Sequence, residues 1–280
     1  MRFDRIIVVD WSGRASRSPK AATRDAIWIG TCDAAGARQD YLRSRAEAES
    51  LVSDRLAEGG RQLVGFDFPM GYPAGLARRL TGQSSARALH GWLAARISDG
   101  PDNANNRFEV AAGINAILGG PGPFWGCPTA RATPQLPPRK TVAYDRLRLA
   151  EKRQVERETP PAKPVWQLLG AGSVGSQALL GIPVVHRLAE RHQAAVWPFE
   201  PPAALTLAEV YPSLLARAVA AEGDAIPDRA QVRLLARALH ALSQAGRLAP
   251  LFETPAAAAE EGWILGAGHA ALLAEALTWP

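Results

Sequence analysis

Apolar runs that each end in an acid recur along this chain, and they restrict its fold more than any other feature. Asp10 ends the run Ile6-Ile7-Val8-Val9, Asp67 follows Leu63-Val64-Gly65-Phe66, and Glu209 follows Leu205-Thr206-Leu207-Ala208. Glu260-Glu261 open the last helical stretch. Short apolar runs bounded by turn residues read as buried strands. A carboxylate at the tip of such a strand is costly to desolvate unless a cation or hydrogen bonds compensate it. Hard divalent cations take oxygen ligands, so acids from several strand ends can share one or two of them. The pattern predicts a sheet with an Mg²⁺ or Mn²⁺ site at one edge.

Around those runs the chain reads as strands over 5–10, 26–31 and 39–43, a helix over 45–58 that stops at Gly59-Gly60, and a strand over 63–66. Residues 69–190 break this rhythm with dense Pro, Gly and Arg, and carry helical patches at 74–98, 107–118 and 175–190. So long an interruption between strands predicts a segment that shapes a substrate site. Strands over 194–198 and 204–210 follow, then helices over 212–221, 228–245 and 260–276. The expectation is one α/β domain over 1–280 with residues 69–190 inserted.

Composition narrows the function class. Hydrophobic residues make up 47% and charged residues 21%, which is ordinary for a packed domain. A net charge of +5 permits a polyanionic partner without requiring one. Basic side chains of the inserted segment, Arg107, Arg131 and Arg139 among them, are candidate phosphate contacts. Two cysteines, Cys32 and Cys127, are too few for a disulfide framework and lack zinc-ligand spacing. No apolar run approaches the ~18 residues of a membrane span, and the opening residues lack the apolar core of a signal peptide. A cytoplasmic protein without a membrane partner is expected.

A second motif is Gly170-Ala171-Gly172-Ser173-Val174-Gly175, which satisfies G-x-G-x-x-G. The context argues against a dinucleotide fold, because no βαβ unit surrounds it and Pro183 interrupts the helix that should follow. Two readings stay open: plain loop geometry, or a turn whose amides, with Gly172, Ser173, Gly175 and Ser176, meet an anion beside the acids.

The segments IIVVDWSG, LVGFDFPMGYP and LAEVYPSLL, followed by a late acidic helix, resemble the DUF429 family of predicted nucleases with a ribonuclease H-like fold. The likeness covers the N-terminal and C-terminal thirds. It implies a mixed five-stranded sheet flanked by helices, opening with three antiparallel strands. It also implies a metal-dependent phosphodiester hydrolase with Asp10, Asp67 and Glu209 as catalytic, metal-binding acids. Relatives carry an Asp-Ala pair at the start of the last helix where this chain has Glu260-Glu261, so Glu261 is assigned as the fourth ligand, with Glu260 its competitor. Nucleic acid or a small phosphate ester is the implied substrate. Asp10-Trp11-Ser12-Gly13 also resembles the first phosphate loop of actin-like ATPases, but no duplicated domain accompanies it. A small-molecule phosphate or nucleotide enzyme on the same core, and a non-catalytic scaffold, are the alternative functions.

Overall fold

Alternation along the first strand sets the layering. In β1 (Arg5–Asp10), Ile7 and Val9 join one hydrophobic cluster and Ile6 and Val8 join another, one on each side of the sheet. Burial on both faces is what a central strand of an α/β sheet requires. The computed structural model describes residues 1–279. β1 pairs antiparallel with β2 (Ile27–Asp33), and β2 pairs antiparallel with β3 (Gly36–Leu42). After α1 (Arg45–Ala57), the chain returns as β4 (Gln62–Phe66), parallel to β1. β6 (Leu205–Glu209) lies parallel to β4, and β5 (Ala195–Trp197) is parallel to β6 at the edge. The order is β3-β2-β1-β4-β6-β5, and β2 alone runs against the other five strands.

Between β4 and β5 lie α2 (Leu76–Thr81), α3 (Ala86–Ala94), α4 (Arg107–Ile117), α5 (Tyr144–Leu147), α6 (Gln154–Glu158) and α7 (Gly175–His192). After β6 come α8 (Ala216–Glu222), α9 (Pro227–Gln244), α10 (Ala258–Glu261) and α11 (Ala270–Ala276). α9 crosses β1, β2 and β3, and buries Val232, Leu235 and Leu239 with Ile6 and Val8. α7 packs with α1, α3 and α4 on the opposite face, where Leu180, Val184 and Leu188 join Ile7 and Val9. No helix among the described residues is long and apolar enough to cross a membrane.

Four expectations need correction. The sheet has six strands instead of the five that the family resemblance implies, because both late apolar runs pair. The patch at 74–98 is two helices: Gly82 ends α2 with φ +78°, a conformation costly for other residues, and Ser85 caps α3 through the Ala88 amide. Pro183 does not interrupt α7; the helix continues through it, nearly enclosed by protein, so burial outweighs the lost backbone hydrogen bond. The expected last helix at 260–276 is broken. Glu260 and Glu261 close the short α10, and residues 262–269 then leave the helix so that Ile264 can pair with Glu209 beyond the end of β5.

Candidate acidic site at the sheet edge

The parallel registers decide which acids meet. Val9, Phe66 and Glu209 stand side by side, so Asp10 and Asp67 follow one residue later on their strands. The Asp67 amide donates to Val9 O at 2.9 Å and the Val210 amide to Phe66 O at 2.9 Å, continuing the ladder past the strand ends. Side chains alternate along a strand, and one residue of offset exchanges the faces. Glu209 therefore shares the α7 side with Val9 and Phe66, whereas Asp10 follows Ile6 and Val8 toward α9.

Asp10 and Asp67 are left without a cation. Among the described residues neither carboxylate accepts a hydrogen bond or joins a salt bridge. Burial first, then Asp67, Asp228 and Asp25, push the Asp10 carboxyl well above the usual carboxylate range. Burial first, then Glu209 and Asp228, push Asp67 up to about 7. Asp228, in the first turn of α9, is raised mainly by its own burial, and its Oδ2 accepts the Asp25 amide at 2.7 Å. Asp25 takes φ +55°, an uncommon backbone for a non-glycine residue. Its carbonyl accepts from Ser12 Oγ and Arg14 Nε, each at 3.1 Å, tying the turn after β1 to the start of α9.

The other two expected ligands are committed elsewhere. Arg153 grips Glu209 with two bonds, Nη1 to Oε2 at 2.8 Å and Nη2 to Oε1 at 2.7 Å, and the Met70 amide also donates to Oε2 at 2.9 Å. Arg153 Nε reaches Glu156 at 2.8 Å, and all three side chains are buried. Glu261 accepts the amides of Ala74 at 3.0 Å and Gln154 at 2.7 Å, and Glu260 accepts that of Gly75 at 2.8 Å. Glu209, Glu260 and Glu261 thus fasten the segment between β4 and β5 to the core. The four acids do not form one ligand set, and no group of three or more His, Cys, Asp and Glu side chains among the described residues is arranged to hold a metal ion.

A cleft of about 490 Å³ opens beside Asp10, lined by Ser12, Asp25 and Asp228 and by Arg107, Ser173, Ser176 and Gln177. Asp67 borders a narrow crevice with Arg153, Lys163, Glu209 and Tyr211. The glycine-rich turn leads into α7 at the cleft, as the anion reading expects, but its residues divide. Ser173 lines the cleft, whereas Gly172 and Gly175 do not. The Gly175 amide donates to Gln167 O at 2.9 Å, and a Cβ there would lie 2.5 Å from Val165 O, so this glycine answers a close backbone approach. At Gly13 a Cβ would meet Ser176 Cβ at 3.1 Å, which shows how closely the turn after β1 approaches α7.

Asp228 and Asp25 were not among the expected site residues, whereas Ser173 and Ser176 of the glycine-rich turn do line the cleft. An acid in the first turn behind Pro227 was a visible signal for a helix start, but the sequence does not say which strand end that helix reaches. Arg131 pairs with Glu109 at 2.6 Å and neither it nor Arg139 lines the cleft. No family model, curated protein or solved structure matches the chain.

Proposed function

We propose that the protein is a metal-dependent phosphoester hydrolase, a nuclease-like enzyme acting on phosphodiesters at the cleft beside Asp10. One observation carries this reading: two half-buried carboxylates at neighbouring strand ends, raised by desolvation and by surrounding acids, have neither a cation nor a donor among the described residues. Such a pair is stabilised by a bound cation. Mg²⁺ suits it, because this ion commonly binds through one or two carboxylates plus substrate phosphate and keeps several waters. The residues present fit one such ion, or Mn²⁺, at Asp10 and Asp67, with Asp228 as a nearby negative charge. They do not fit the four-acid site, since Glu209 is neutralised by Arg153 and both Glu261 oxygens accept backbone amides.

When bound, the ion would polarise a phosphoryl oxygen and lower the pKa of a bound water. Asp10 and Asp67 would hold it, and Arg107, which lines the cleft, would balance phosphate charge. The cleft volume favours a second, narrower substrate class. About 490 Å³ is the size of a small-ligand pocket, and Arg14 and Arg107 are its lining cations. A mononucleotide-sized phosphate ester, or the end of a single strand, suits it better than a long duplex.

Hydrolysis of bis(p-nitrophenyl) phosphate, assayed with Mg²⁺, with Mn²⁺ and with EDTA, tests the proposal. The expected result is metal-dependent turnover that Asp10→Asn and Asp67→Asn each lower by at least about a hundredfold. Equal turnover in EDTA, or a fully active Asp67→Asn variant, would refute it.

A further inference from the structure

Arg107 is a buried cation whose neighbouring carboxylates are already taken. It is 7% exposed, starts α4 and lines the cleft beside Asp10. Asp99 spends both oxygens on Arg45, at 2.5 and 2.6 Å, and Glu109 pairs with Arg131. Arg107 is left with neutral partners: Nε donates to Ser176 Oγ at 2.9 Å and Nη1 to Asn105 Oδ1 at 2.7 Å. Nη2 donates to no group among the described residues. A buried charge without a counter-charge is expensive. Burial, then the nearby Arg45, pull its pKa down to about 10.

The same cleft is lined by the first turn of α7, a helix of 18 residues. Among the described residues the Ser176 and Gln177 amides find no acceptor, and no side chain caps this end. Free amides at the positive end of a helix dipole attract anions. Ser176 joins the two features, since its hydroxyl accepts from Arg107 and donates to Leu168 O at 2.6 Å. Ser173 lines the cleft beside it.

We propose that Arg107, the Ser176 and Gln177 amides and the Ser173 hydroxyl form a phosphate-binding subsite, taking the phosphoryl group of a phosphate ester in the cleft beside Asp10. This rests on the phosphoester reading and names the residues that would hold the phosphate. An anion placed there gives Arg107 the counter-charge it lacks. Arginine suits the role because its fork can hold neutral partners and a phosphate oxygen together.

The test needs no hydrolysis. Inorganic phosphate is titrated in EDTA into the whole protein and into Arg107→Met, Arg107→Lys and Ser173→Ala variants, by calorimetry and by thermal midpoint. The wild-type midpoint should rise with phosphate. Arg107→Met should weaken binding at least about tenfold, with a smaller loss for Arg107→Lys and Ser173→Ala. In the unmodified protein, the Ser176 and Gln177 amide resonances should shift on titration, a readout that does not depend on any variant folding. Unchanged affinity in folded Arg107→Met, or amide shifts confined to another surface, would overturn the subsite. Phosphate binding that requires Arg107 in a protein without hydrolase activity would leave the subsite standing and remove the enzymatic reading. Hydrolysis with phosphate binding indifferent to Arg107 would do the reverse.

Discussion

At Asp67 the relevant balance is between burial and charge. Its carboxyl is raised to about 7, so the folded state holds its proton more tightly than the unfolded chain does. The stability it contributes is complete below the ordinary carboxylate range and is lost as pH rises toward 7. Asp67→Asn should consequently match wild type near pH 3.5 and exceed it at pH 8 by about 1–2 kcal/mol, a few degrees of midpoint. Mn²⁺ should raise the wild-type midpoint and leave that of the variant nearly unchanged. A variant less stable at pH 8 would mean that Asp67 has a structural partner. Glu209 should behave in the opposite sense. Glu209→Gln leaves the buried Arg153 with Glu156 as its one carboxylate partner and should cost about 2–4 kcal/mol in denaturant unfolding, whereas Glu209→Gln with Arg153→Met and Glu156→Gln, which leaves no buried charge unpaired, should recover much of that loss. A metal ligand freed from repulsion would instead stabilise the metal-free protein.

At the scale of elements, α10 is a fastener. Glu261 stands where a late acidic helix was expected to supply a metal ligand, yet its two oxygens hold the amide of Ala74, just before α2, and that of Gln154, at the start of α6. Glu261→Ala leaves both donors without their acceptor and should cost about 2–4 kcal/mol. Limited proteolysis should then cut faster between residues 74 and 163, with Mn²⁺ affinity unchanged. A large loss of Mn²⁺ affinity in a folded variant would return Glu261 to the metal site. α7 shows a similar override, since its proline and its opening glycine both lower helix propensity while packing on three helices keeps it continuous.

For the molecule as a whole, the distribution of charge matters more than the +5 total. Asp10, Asp25 and Asp228 line the cleft with Arg14 and Arg107, while Arg131 and Lys140 are paired with Glu109 and Glu151. A long polyanion would find few free cations around the site. Binding of a single-stranded oligonucleotide should therefore fall with salt at a slope no steeper than about −2, the release expected for two or three phosphates. Arg131→Ala should leave that slope unchanged and Arg107→Met should reduce it. A steep slope would point to a long nucleic-acid track outside the cleft.

Local pattern sufficed for the strands, α1, α9 and the placement of Asp10, Asp67 and Glu209 at neighbouring strand ends, because alternation, apolar runs and glycine stops act within a few residues. The glycine-rich turn could likewise be placed beside the acids. Tertiary structure decided what each acid does. The one-residue offset between Glu209 and the Asp10–Asp67 pair is a matter of register, which arises only when strands align. Arg153 reaches Glu209 from 56 residues away, and Asp228 comes to the cleft on a helix whose landing point depends on packing across three strands. Whether a buried carboxylate is open to a metal or held by an arginine depends on which opposite charge the fold brings within about 3 Å, and no spacing along the chain encodes that meeting.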